Sequence, residues 1–143
     1  MSDRVISGAC LCGKVTVELQ ASANEVEICQ CSMCRRWGGS FYAGLAGEKF
    51  EIGGKESITA YKSSNWGERA FCQTCGSTLW FRFLPTDHRS FSAGLFDDAA
   101  ALGIKKEIFA DEAADWCRLR GDHPRQTGEE VMAEAREAGF TFD

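Results

Sequence analysis

The chain has 143 residues, 44% hydrophobic and 26% charged, a balance that suits one globular domain with a real core and excludes a disordered segment. Its formal net charge of -5 makes nucleic acid a poor partner, because an acidic surface repels phosphate backbones. No apolar run approaches the roughly 20 residues that span a bilayer.

The N-terminal stretch Met1–Gly8 lacks the basic segment and apolar run of a signal peptide. The expected location is therefore the reducing cytoplasm, where thiols persist and disulfides are rare. Cys10-Leu-Cys12-Gly13 comes next, directly before Lys14–Leu19. There Val15, Val17 and Leu19 alternate with Lys14, Thr16 and Glu18, the period of a half-buried strand. Further short strands are expected at Phe41–Leu45, Phe50–Ile52, Ile58–Ser63 and Thr78–Phe83, which are rich in aromatic and β-branched residues. Phe91–Phe96 and Lys105–Ala110 complete the set. Thr127 and Glu130 have capping-box spacing, so Glu129–Ala138 reads as a helix stopped by Gly139. It has few apolar residues and reads as a surface appendage. The fold class is mainly β, with one domain over 1–143.

Eight cysteines dominate the chemistry. Cys72-Gln-Thr-Cys75-Gly76 precedes a strand just as Cys10-Leu-Cys12-Gly13 does. Neither pair alone fills a tetrahedral zinc shell, but together they offer four soft ligands, the set of a closed structural site. Zinc there would clamp positions some sixty residues apart, and its binding energy would count as folding energy. Three other readings stay open: plain buried thiols, disulfides in an oxidising compartment, or redox chemistry at Cys72 and Cys75. A Cys10–Cys12 disulfide would be strained, and a redox motif prefers a following helix where a strand is expected.

Cys29-Gln-Cys31-Ser-Met-Cys34 sets three thiols within six residues. Three sulfurs on one short loop can grip a zinc ion and leave its fourth position open, the mark of a catalytic or substrate-binding metal. The histidines, His88 and His123, lie far off in predicted loops and read as solvated or hydrogen-bonding residues rather than ligands. Zinc with three thiolates carries a formal charge of about -1 and is a weak Lewis acid toward water. It is better suited to holding one more thiol as thiolate. Arg35 and Arg36 either meet a carboxylate on such a substrate or simply balance the cluster's charge.

The runs Gly8-Ala-Cys10-Leu-Cys12-Gly13, Cys29-Gln-Cys31-Ser-Met-Cys34-Arg35 and Glu68-Arg69-Ala-Phe71-Cys72-Gln-Thr-Cys75-Gly76-Ser77 resemble the glutathione-dependent formaldehyde-activating family, which includes the centromere protein V relatives. The likeness covers about residues 5–125, reaching Glu107-Ile-Phe109 and Asp115-Trp116, with a C-terminal helix at about 128–139 beyond it. It implies an Mss4-like β-tent of short antiparallel strands with zinc-binding turns and two zinc ions per chain. Cys10, Cys12, Cys72 and Cys75 match the structural ligands, and Cys29, Cys31 and Cys34 the catalytic triad. The implied activity is that of a carbon–sulfur lyase joining glutathione to formaldehyde as S-hydroxymethylglutathione. The implied partner is a small-molecule thiol, not nucleic acid or membrane.

The alternative is a non-enzymatic, zinc-stabilised binding module of the same fold, since fold alone does not fix function. A third reading has the second cluster store zinc or sense redox state. The basic neighbourhood of Lys105, Lys106, Arg118, Arg120 and Arg125 reads as a solvated face, and Cys117 belongs to neither zinc set. Trp37, Phe41 and Trp66 either line a pocket or pack in the core.

Overall fold

The structure is a computed structural model that describes residues 4–21 and 25–142. The first three residues of the N-terminal stretch read above lie outside it. Strand β1 (Arg4–Ala9) pairs antiparallel with β2 (Thr16–Ala21). The alternation read at 14–19 is realised: Val15, Val17 and Leu19 are buried, while Thr16 and Glu18 face solvent. Next come β3 (Glu25–Cys29), helix α1 (Ser32–Gly38), β4 (Tyr42–Ala46) and β5 (Lys49–Gly53). They are followed by β6 (Ile58–Lys62), β7 (Gly67–Cys72), β8 (Thr78–Phe83), β9 (His88–Ser92) and β10 (Gly103–Ile108). Helix α2 (Gly128–Glu137) closes the set.

The strands form a three-stranded sheet, β1-β2-β5, and a seven-stranded sheet, β10-β3-β4-β9-β8-β7-β6. Every pair is antiparallel except β10 with β3, which run parallel. A parallel pair needs a long crossover, and the chain between Cys29 and Gly103 supplies it. Val17 and Leu19 of the smaller sheet share one core with Ile28, Leu45, Leu79, Trp80 and Phe91 of the larger. Phe91 lies at its centre, edge-on to both Phe50 and Trp80.

Two local features differ from expectation. Residues 29–34 are not a simple loop, because Cys34 lies within α1. The Cys31 sulfur accepts the Cys34 backbone N–H at 3.4 Å, doing the work of an N-cap oxygen. Helix α2 is not a free appendage either. It starts with the expected capping box, Thr127 and Glu130 each accepting the other's backbone N–H. Beyond its end, Phe140 packs edge-on against Phe83 of β8 and Phe142 against Trp66. Aromatic residues after Gly139 anchor what the helix's own sparse apolar face cannot.

Candidate metal centres

The first cluster is built by two similar turns. After β1, the Cys10 N–H donates to the Val15 carbonyl and the Gly13 N–H to the Cys10 carbonyl, both at 3.0 Å. At the β7–β8 connection, the Cys72 N–H donates to the Ser77 carbonyl at 3.0 Å and the Gly76 N–H to the Cys72 carbonyl at 2.7 Å. Gly13 and Gly76 have φ near +79° and +78°, which explains a glycine after the second cysteine of each pair. Leu11 N–H donates to Ser77 Oγ at 3.0 Å and ties the two turns together.

This brings the sulfurs of Cys10, Cys12, Cys72 and Cys75 within 4.8 Å of one another. Cys10 and Cys12 Sγ are 3.6 Å apart, and Cys12 and Cys72 Sγ 3.8 Å. Tetrahedral zinc with bonds of about 2.3 Å sets sulfurs about 3.8 Å apart, so the donors fit that ion in type, number and spacing. Val15 N–H donates to Cys10 Sγ at 3.3 Å. Hydrogen bonding to Ser77, hydroxyl first and backbone N–H second, holds the Cys75 thiol well below its usual range. Both contacts favour thiolates.

The second cluster lies where β3 runs into α1. Cys29 ends the strand, Cys31 caps the helix and Cys34 sits in its first turn, with all three sulfurs within 4.8 Å of one another. The three thiols cannot all ionise unaided. Hydrogen bonding to Cys31 drives Cys29 far up, and the same contact with Cys29 holds Cys31 down. A cation among them removes that conflict, and three soft donors suit zinc. Among the described residues no fourth histidine, cysteine or carboxylate joins the group. His88 is exposed on β9. His123, expected to be solvated or hydrogen-bonding, has a buried side chain whose Nε2 lies 2.5 Å from Glu107 Oε2.

Glu107 belongs to a polar network directly behind this cluster. Gln30, between two of the cysteines, is fully buried, and its Nε2 donates to Glu107 Oε1 at 3.1 Å. Arg125 Nε donates to Glu107 Oε2 at 3.0 Å. Burial pushes the Glu107 carboxyl up, but His123, Gln30 and Arg125 together outweigh it and hold the pKa below its ordinary value. Gln30 N–H also donates to the Ile108 carbonyl at 3.0 Å, so β10 fixes the middle of the Cys29–Cys31 segment twice.

The profile of the glutathione-dependent formaldehyde-activating enzymes matches residues 5–112, which includes all seven clustered cysteines. The chain belongs to that family. An uncharacterized lyase of Schizosaccharomyces pombe is 28% identical over 87% of this chain and 93% of its own. A Halomonas elongata protein, provisionally named a glutathione-dependent formaldehyde-activating enzyme, is 30% identical over 80% of this chain and 81% of its own. A crystal structure of a Rhodobacter sphaeroides protein superposes with a TM-score of 0.56 at 20% identity, covering 84% of this chain and 99% of that one, a likeness of fold.

In this member of the family, a cavity of about 350 Å³ opens beside α1, lined by Arg35, Arg36, Gly39, Ser40, Ala114 and Trp116. Arg35 Nε and Ser40 Oγ are buried there with no hydrogen-bond partner. Trp116 is 75% exposed, which is unusual for an indole. The other aromatic candidates divide. Trp37 stacks on Tyr42 with ring centroids 5.1 Å apart, next to the triad, whereas Trp66 packs among Phe81, Phe83 and Phe142. Phe41 packs against the core, and Cys117 joins neither cluster. Sequence reasoning missed Gln30, Glu107 and Arg69 as parts of the triad's surroundings. Glu107 and Arg69, whose Nη1 donates to Cys34 Sγ at 3.6 Å, both fell within the runs that carry the family resemblance, the one signal that pointed to them.

Proposed function

We propose that this chain is a zinc-dependent carbon–sulfur lyase that binds a thiol such as glutathione at the Cys29–Cys31–Cys34 centre and adds it to a small aldehyde. Cys10, Cys12, Cys72 and Cys75 hold a structural zinc, and the domain spans the whole chain. One observation carries the reading: the chain has a four-sulfur set and, separately, a three-sulfur set that no other histidine, cysteine or carboxylate among the described residues completes. Zinc held by Cys29, Cys31 and Cys34 would supply the Lewis acidity that keeps an incoming thiol as thiolate.

The chain's own groups do the rest. The Cys34 N–H bond to Cys31 and the Gln30 bonds to β10 fix the donors before substrate arrives. In the reaction the substrate sulfur forms a bond to the aldehyde carbon. The carbonyl π pair moves to oxygen, which takes up a proton from water in place of the one lost by sulfur. The cavity beside α1 supports a thiol that carries a carboxylate. Arg35 Nε and Ser40 Oγ supply unmet donors, and among the described residues no carboxylate forms an ion pair with Arg35 or Arg36. Trp116 supplies a platform for the peptide part of the substrate. The family name and the lyase name of the yeast relative agree with this reading.

The test is native mass spectrometry of the chain before and after adding reduced glutathione. Two zinc ions per chain and a glutathione adduct that Cys34→Ser abolishes are expected. One zinc and no adduct would move the chain to a zinc-stabilised binding module.

A further inference from the structure

Arg69 of β7 is only 6% exposed. Arginine stays protonated throughout the pH range in which proteins fold, and burying its charge is costly unless an opposite charge sits beside it. Among the described residues no carboxylate forms an ion pair with it. Its Nε donates to the neutral Ser63 Oγ at 3.2 Å, and its plane lies 4.8 Å from the Trp37 ring centroid and 5.1 Å from that of Phe81. The nearby Tyr42 hydroxyl is buried and donates to the Ser90 carbonyl, and burial pushes its pKa up, so it stays neutral. What remains is sulfur: Nη1 donates to Cys34 Sγ at 3.6 Å.

This contact is not a by-product of neighbouring strands. Three strands separate β3 from β7 in the sheet order, which in a flat sheet would put them about 19 Å apart. Arg69 therefore reaches Cys34 of α1 from a strand that is not a sheet neighbour of β3. Among the described residues no guanidinium or ammonium hydrogen-bonds a sulfur of the first cluster. Cys10 and Cys72 there are buried too, but Cys12 is exposed, so water reaches that cluster and screens its negative charge. Cys34 is buried, and the charge must be met from within.

We propose that Arg69 is a positioning residue of the three-sulfur centre, whose guanidinium is the fixed counter-charge to Cys34 and so lets the centre accept one more thiolate. The inference rests on the thiol-binding reading above. Zinc with three thiolates has a formal charge of about -1, and an added thiolate takes it to about -2. Arg69 returns the buried assembly to about -1 through a charge-assisted hydrogen bond to one ligand. Cation–π contacts with Trp37 and Phe81 hold the guanidinium in place.

The test uses the full chain loaded with cobalt(II) in place of zinc, titrated with 2-mercaptoethanol while sulfur-to-cobalt charge-transfer absorption is followed. That thiol carries no carboxylate, so the cavity beside α1 plays no part. Arg69→Gln should still bind two cobalt ions but need about 10- to 100-fold more thiol, the scale of one charged hydrogen bond. Arg69→Lys, which keeps the charge and loses the plane, should recover most of the affinity. Unchanged affinity in Arg69→Gln, or a lysine variant as weak as the glutamine one, overturns the proposal in favour of simple packing. A wild-type chain that binds two cobalt ions but shows no response to thiol overturns the thiol-binding reading itself, and this inference with it. Should Arg69→Gln fail to fold, the pairing requires the double variant R69Q/C34S, which removes both charges, to fold again; if it does not, the pairing is wrong.

Discussion

The four-sulfur cluster joins the β1–β2 turn of one sheet to the β7–β8 turn of the other, drawing ligands from positions sixty residues apart. The three-sulfur cluster draws all its ligands from six consecutive residues at the end of one strand. A metal in the first is a cross-link between sheets, and its removal frees a long loop. A metal in the second closes only a local segment that Gln30, Ile108 and the α1 cap already hold. On the proposed function, the number of protein ligands follows from the task. A cross-link must be saturated to be stable, whereas a locally built site can leave a position for substrate.

The sharpest way to break this contrast is to remove one ligand from each cluster. Structural zinc contributes about 10–16 kcal/mol in small domains, as much as or more than the whole stability of about 5–15 kcal/mol of an ordinary one. Cys72→Ser should therefore leave little folded chain at room temperature, read as loss of the cooperative thermal transition. Cys34→Ser should lose one zinc and thiol binding while the transition persists, lowered by about 3–5 kcal/mol because Arg69 then lies buried without its partner. Equal damage from the two variants would end the division into cross-link and working site.

A smaller effect should follow from the network behind the triad. Glu107→Gln places an amide where three donors converge and should cost about 3 kcal/mol, with zinc leaving the triad faster under chelator and the four-sulfur cluster unaffected. The sign of its pH dependence follows from the depressed Glu107 pKa. Its contribution is complete above the ordinary value of 4.5 and is lost as pH falls through the lower folded value. The stability gap between wild type and Glu107→Gln, taken from denaturant curves, should be constant from pH 7 to near 4.5 and narrow below that. A gap that widens on acidification would mean that Glu107 is not held as a carboxylate.

What could be read in the sequence follows the same contrast. The convergence of the four sulfurs was legible because both halves are local turns with a characteristic Cys–Gly ending, and a tetrahedral metal shell calls for two such pairs. The strand read at 14–19 and found at Thr16–Ala21 was legible because it has one wet face and one dry one. Strand β7 was not, because its buried face carries Arg69, whose charge argues for solvent until Cys34 is known to lie opposite. Strand β3 was hidden among cysteines and glutamates, and α1 by an N-cap that is a sulfur rather than an oxygen. The buried state of Glu107 and His123 depends on each having the other as partner, which no single-position reading supplies.

The smallest effect concerns the C-terminal tail, which touches neither cluster yet should favour one. Phe142 packs edge-on against Trp66 at 5.4 Å, Trp66 against Phe81 at 6.2 Å, and Phe81 lies under the Arg69 guanidinium at 5.1 Å. Phe142→Ala removes one aromatic pair worth about 0.5–1.5 kcal/mol. For a chain of this size that corresponds to a fall of a few degrees in Tm, about 2–4 °C per kcal/mol. Because the row ends on Arg69, loosening it should raise the mercaptoethanol concentration that half-saturates the cobalt-loaded triad, by less than Arg69→Gln does. Metal retention at Cys10, Cys12, Cys72 and Cys75 should not change. A fall in Tm with thiol affinity untouched would confine the tail to packing. A change at both clusters would mean that the tail steadies the sheets as a whole, and that the two clusters are less independent than their construction from distant turns and from one local segment implies.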